Sequence, residues 1–294
     1  MCPIRFLEAK VEVKWSVYYL LSAASTAPAV PKLGIFVGVE GAISGLITSV
    51  LLTAMTWYFV TAARKGRPMP AIRKLPGLDA ITEAVGRATE MGRPVLLANR
   101  TAGVGNVHSF ALWGYMGYVA GLCARYETEL INIAGDYLAA AVNEDVIKQA
   151  YLEVGRPEAF KADTVRYIPG DQWAWTSAVA GMLKRDKPAT AMWIGYFYAE
   201  SMTLAEVGAQ IGAIQIAATT NTAQLPFFIA SCDYTLIGEE EYAGSAYLSK
   251  EPMLTGTIVA EDIGKFLVFL VVILGTVAQI MSPKANWMMK ALKF

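Results

Sequence analysis

The residues whose types could do chemistry stand at the ends of short apolar runs. Gly103-Val-Gly105-Asn106 follows the run Val95–Ala98 and precedes a helical stretch. Backbone amides at a helix start can hold an anion. The segment lacks the third glycine of a dinucleotide fingerprint and the Gly-Lys-Ser/Thr of a P-loop, so a helix-entry loop is the plainer reading. Asp136, Asp171, Glu200, Glu239 and Glu240 follow later runs. Converging carboxylates bind magnesium or calcium through hard oxygen atoms. Each also stands at or just before a helix start, where carboxylates cap amides and meet the positive end of the dipole. Capping accounts for all five, so neither a metal nor another cofactor is expected. His108 is the single histidine, too few for a zinc site, and it reads as structural or pocket-lining. Cys123 and Cys232 read as packing residues. Trp173 and Trp175, after Asp171-Gln172, line a pocket or meet another subunit. Glu239-Glu240-Glu241 reads as a solvated helix start. No acid–base or nucleophile pair is visible, so no catalytic residue is assigned. The ligand-binding candidates are Asn99, Gly103, Gly105, Asn106, Asp136, Asp171, Gln172, Glu200 and Asn221.

These residues need elements to position them. Six apolar runs qualify as strands: Val95–Ala98, Leu130–Ile133, Thr164–Ile168, Thr190–Tyr196, Ala213–Ala218 and Tyr234–Ile237. Helical stretches alternate with them, beginning with Leu78–Met91, whose apolar residues recur at helical spacing. Strands without polar alternation belong to a sheet covered on both faces. Repeated crossovers make that sheet mostly parallel. The expectation is an α/β, Rossmann-like, doubly wound domain over residues 64–261. In such a sheet, ligands bind beyond the carboxyl ends of the strands.

Apolar runs flank this domain. Residues 33–63 read as one transmembrane helix and 262–282 as a second, between an N-terminal arm (1–32) and a C-terminal tail (283–294). A bilayer core of ~30 Å needs about 20 helical residues. The first run exceeds that; the second, from Phe266 to Met281, is short. In the arm, Lys10 and Lys14 precede Trp15–Ala24 in a pattern that imitates a signal peptide. An arm with an interfacial or packed helix is preferred. The first run carries Gly34, Gly38, Gly41, Gly45 and Ser49 at small-xxx-small spacings, which let helix backbones approach closely. Glu40 lies inside it, either near the interface or as a functional carboxylate. Both termini fall on one side of the membrane and the domain on the other.

The 25 acidic and 25 basic residues balance, and no basic excess points to nucleic acid. The apolar share of 55% and mean hydropathy of +0.39 exceed what the two runs supply. Aromatic segments such as Phe110–Tyr118 add to it and suggest a buried interface between subunits, with Trp113, Tyr115, Trp173 and Trp175 as its surface. Three cysteines without a CxxC pair favour a reducing compartment. The expected place is the cell (inner) membrane, with the domain cytoplasmic.

Three segments resemble an uncharacterised prokaryotic membrane-protein family known as a domain of unknown function. They are Leu78–Leu96, Asp171–Thr190 and Ala199–Lys250. The resemblance covers most of residues 34–275 and implies the same membrane-anchored α/β layout. It brings no activity, and the N-terminal arm has no place in it. Two functions remain open. The expected one is a structural or scaffolding protein that self-assembles as a homo-oligomer in the bilayer, alone or with other membrane proteins. The alternative is a membrane-tethered nucleotide- or metabolite-binding domain acting as a sensor.

Overall fold

Short strands that are apolar on both sides need layers above and below them. The computed structural model describes residues 42–70, 75–100 and 103–281 and supplies those layers. The strands are β1 (Val95–Asn99), β2 (Leu130–Ala134), β3 (Val165–Tyr167), β4 (Thr190–Ile194), β5 (Ile214–Thr219) and β6 (Tyr234–Ile237). They form one sheet in the order β3-β2-β1-β4-β5-β6, and every neighbouring pair is parallel. This is the strand order of doubly wound folds. All six expected strands are present, each within a residue or two of its expected start.

The helices are α1 (Ala42–Arg64), α2 (Pro76–Met91), α3 (Val107–Tyr126), α4 (Tyr137–Glu153), α5 (Gln172–Asp186), α6 (Glu200–Gln210), α7 (Leu225–Ser231), α8 (Glu240–Ser249) and α9 (Pro252–Met281). Side chains alternate across a strand, and β1 shows the consequence. Val95 and Leu97 enter a core with Ile81 of α2, Leu112 and Met116 of α3 and Ile147 of α4. Leu96 and Ala98 enter a second core with Trp175 and Val179 of α5, Leu204 of α6 and Phe228 of α7.

The sheet order reverses beside β1. From there the chain runs outward to β2 and β3, then returns to place β4, β5 and β6 on the other side. The loops leaving β1 and β4 diverge at that point, one towards each face, and leave a crevice at the carboxyl edge.

Helix α8 lies against α3, and both interlock through small residues. A Cβ on Gly114 would lie 3.1 Å from the carbonyl oxygen of Ser245. A Cβ on Gly244 would lie 3.0 Å from Tyr115 Cζ and 3.1 Å from Leu78 Cδ2. Tyr115 is fully buried and donates its hydroxyl to the Glu240 carbonyl at 3.4 Å. This packing fixes the amino end of α8 against the first turns of α3.

The described residues divide into two compact units, one holding residues 42–53 and 269–281 and the other Ala54–Val268. In the first, Leu46, Ile47, Val50, Val271 and Val272 are all exposed. One helix among the described residues, Gly45–Arg64, is long and apolar enough to cross a membrane. In α9 the described apolar run, Phe266–Val277, is shorter than the ~20 residues a crossing takes. The helix itself begins well before that run, and its first turns belong to the domain unit: Val259 and Ala260 are buried.

Where they are described, the small residues of the first run make no close approach within this chain. A Cβ on Gly45 would meet nothing within 4 Å, and Ser49 is exposed. Gly34, Gly38, Glu40 and Gly41 lie outside the described residues. The close approach is made by Gly256 of α9 instead. Its Cβ would stand 2.8 Å from Val60 Cα and 2.9 Å from the Phe59 carbonyl oxygen of α1.

Candidate functional site

Parallel strands bring every β-to-α loop to one edge, so the residues following β1, β4, β5 and β6 meet there. Asn106 caps α3 by accepting from the His108 amide at 3.1 Å. Cap and helix together put His108 on the first turn, facing α8. His108 Nδ1 lies 3.0 Å from Glu241 Oε1 and 3.3 Å from Oε2. Its Nε2 lies 3.4 Å from the Thr220 hydroxyl, in the loop between β5 and α7. The Tyr242 hydroxyl is 3.3 Å from Nδ1, and the Tyr196 ring stands 5.3 Å from the imidazole. Three separate loops or helix ends therefore surround one imidazole.

Glu241 is 0% exposed. Burial raises its pKa above the ordinary carboxylate value, while His108 and a hydrogen bond from the Thr220 backbone pull it back. A buried carboxylate acceptor makes Nδ1 the donating nitrogen and leaves Nε2 as the acceptor for Thr220. Tyr242 is pushed up to about 12, chiefly by burial and then by Glu241, so its phenol stays protonated. Glu241 is the residue that sequence reasoning missed. Only one of three consecutive glutamates at a helix start turns inward. Glu239 instead pairs with Lys265, and Glu240 accepts from the Ile237 amide at 3.1 Å.

A polar chain runs beneath the crevice on the α3 side. Trp113 Nε1 donates to Asn143 Oδ1 at 3.1 Å. Asn143 Nδ2 reaches Asn132 Oδ1 at 3.0 Å and Asn99 Oδ1 at 3.3 Å. Asn99 Nδ2, buried at the end of β1, has no partner. On the opposite face, Glu200 is fully buried. Its Oε2 accepts from Gln172, and its Oε1 has no partner. An unpaired buried polar group costs about 1–3 kcal/mol, so two of them at one sheet edge mark a place where a partner would be stabilising.

The other expected site residues have structural duties. Asp136 and Asp171 cap α4 and α5, accepting from the Ala139 and Ala174 amides at 2.8 Å each. Asn221 ties two loops together, donating to the Phe197 carbonyl at 2.7 Å and accepting from the Ala223 amide at 3.1 Å. Glu200 follows the cap position, Ala199, and caps nothing. Gly103 and Gly105 behave differently from the packed glycines: a Cβ at either would meet nothing within 4 Å. Gly105 has no positive φ. Fold geometry therefore does not demand glycine at position 105, and among the described residues nothing covers either glycine.

Two expectations about aromatic surface need correcting. Trp175 is 1% exposed and Tyr115 is fully buried, both inside the cores, whereas Trp173 is 59% exposed. Helical phase separates the pair: Trp175 faces the sheet and Trp173 faces away. Burial raises Cys123 and Cys232 to about 12 each, which leaves both thiols protonated and unreactive. Among the described residues no group of three or more His, Cys, Asp or Glu side chains is gathered to hold a metal. A groove of about 720 Å³ lies away from His108. Gly117, Gly121 and Arg125 of α3, Val146 of α4 and Leu254 of α9 line it, with Glu153 and Glu251 as its carboxylates and no histidine.

A family model described as "Domain of unknown function (DUF6754)" matches residues 38–290. No curated protein and no solved structure matches the chain.

Proposed function

The chain belongs to that family of unknown function, and we propose that it is a membrane-tethered binding protein for a nucleotide or similar small metabolite. Its ligand occupies the crevice where the sheet order reverses. What carries this reading is the loop after β1: nothing among the described residues stands within 4 Å of a Cβ at Gly103 or Gly105, and the Asn99 amide at the end of β1 has no partner. A ligand approaching the backbone there meets the amino end of a long helix, which favours an anionic group. Fold type alone would be analogy; the unpartnered Asn99 amide and Glu200 oxygen are observations at the sheet edge itself.

In this reading α1 and α9 both enter the bilayer, with the domain on the cytoplasmic side and both termini opposite. The exposed apolar residues of α1 and α9 support their entry into the bilayer. Titration of the detergent-solubilised full chain with a panel of nucleotides and dinucleotides, followed by calorimetry, tests the binding. A Cβ at Gly105 would meet nothing within 4 Å among the described residues, so Gly105→Val should fold normally and bind at least tenfold more weakly. Equal binding by both proteins, or none by either, contradicts the reading.

A second reading, a self-assembling membrane scaffold, has support from the open Gly45–Ser49 face of α1 and from exposed Trp173. Gly45→Leu should then lower the native subunit number while the domain stays folded. An unchanged subunit number removes this reading.

A further inference from the structure

We propose that Thr220, His108 and Glu241 form a nucleophile–base–carboxylate relay that transfers acyl groups from carboxylic esters. The proposal rests on the crevice being a ligand site. The relay is geometric. The Thr220 hydroxyl is 3.4 Å from His108 Nε2, and His108 Nδ1 is 3.0 Å from the Glu241 carboxylate. The three come from separate elements, the β5–α7 loop, α3 and α8, so sequence neighbourhood does not account for their meeting. The carboxylate and imidazole are buried while Thr220 is half-buried. That leaves the hydroxyl as the member a substrate reaches. Thr220 also stands on a strand-to-helix turn at the carboxyl edge, a position that presents a nucleophile to a crevice.

A neutral acyl carbon suits the surroundings. Tyr196 and Tyr242 flank the imidazole, and neither Lys nor Arg contacts His108, Thr220 or Glu241 among the described residues. Tyr242 shares Nδ1 with Glu241 at the longer distance of 3.3 Å and helps hold the ring.

The step runs as follows. Thr220 Oγ1 attacks the ester carbonyl carbon as its proton passes to His108 Nε2, and Glu241 stabilises the resulting imidazolium through Nδ1–H. The tetrahedral adduct collapses to an acyl-threonine. The C–O bond to the alcohol breaks, and the departing oxygen takes the proton from Nε2. Water, activated by the same imidazole, then cleaves the acyl-threonine, releasing the carboxylic acid and restoring Thr220.

The test uses the full chain in detergent with p-nitrophenyl acetate as probe, reading p-nitrophenol release and the acetylated peptide by mass spectrometry. The wild type should carry acetyl on Thr220. Thr220→Val should lose the adduct and Thr220→Ser should keep it. A positioned general base contributes about 10²–10⁴-fold, so His108→Gln should slow acylation at least about 100-fold. Glu241→Gln should also slow it. Circular dichroism checks each fold, and Thr220→Val, half-buried and nearly isosteric, keeps the test decisive if a buried-site variant unfolds. Acetyl found only on lysines, or a Thr220 adduct undiminished in His108→Gln, overturns the proposal. If nucleotide titration succeeds while no acyl-Thr220 forms, the chemistry fails and the binding site stands. If both fail, both readings fall.

Discussion

Gly244→Ala should destabilise the domain and loosen the His108–Glu241 pair, although alanine favours helices. Gly244 sits inside α8, where replacing glycine by alanine would ordinarily gain about 0.5–1 kcal/mol. Here the new methyl group would stand 3.0 Å from Tyr115 Cζ and 3.1 Å from Leu78 Cδ2. Both neighbours are buried, with Tyr115 held by the Glu240 carbonyl. Overpacking of a filled core costs about 1–3 kcal/mol, and a weakened hydrogen bond about 1 more. The net expectation is a loss of about 1–3 kcal/mol. For a domain of this size each kcal/mol lowers the melting temperature by about 2–4 °C. Gly181→Ala is the control: in the interior of α5 its Cβ would meet nothing within 4 Å, so it should gain about 0.5–1 kcal/mol. Urea unfolding of the detergent-solubilised chain, followed by far-ultraviolet circular dichroism, measures both. If Gly244→Ala shifts the midpoint in the same direction as Gly181→Ala, the interlock between α3 and α8 is not as described.

Asn143→Leu removes the shared partner of Asn99, Asn132 and Trp113, and at about 1–3 kcal/mol per stranded group it should cost at least about 3 kcal/mol in the same unfolding assay. Gly256→Val should cost towards ~3 kcal/mol, because the atoms it meets belong to the α1 backbone and cannot rotate aside; a loss under ~1 kcal/mol would show that α1 and α9 separate freely. Burial raises the folded-state pKa of Glu241 above its unfolded value, so the folded chain holds that proton more tightly. The stability it contributes is fully present below the unfolded pKa and is lost as pH rises through the folded one. Unfolding measured across that window should show a shallower decline in Glu241→Gln than in wild type, and identical slopes would place the titration elsewhere.

The sheet was readable because its central strands are buried on both faces and therefore apolar at every position, as in Leu130–Ala134. Parallel pairing then followed from the alternating helices. The loops at the carboxyl edge followed too, and with them Asn99, Asn106 and Glu200. What joins them was not readable. His108 and Glu241 are 133 residues apart, and nothing local in Glu239-Glu240-Glu241 says which carboxylate turns inward. Asn143 sits among charged residues that suggest a solvated face, yet helix phase aims it at Asn99 and Asn132. Tyr115 and Trp175 were misjudged for the opposite reason. Segments such as Phe110–Tyr118 are apolar almost all round, so residue type alone cannot separate the side facing the sheet from the side facing outward. Gly256 escaped notice because it precedes the apolar run of α9, and small-residue spacing drew attention to the first span instead.

The central claim is that the crevice beside β1 and β4 holds a small ligand over Gly103 and Gly105. Native mass spectrometry of the full chain, released gently from detergent without added ligand, tests it most directly. Wild type should carry a bound small molecule of defined mass, and Gly105→Val, prepared identically and equally folded, should not. A bare wild-type chain, or the same adduct on both proteins, would contradict the account.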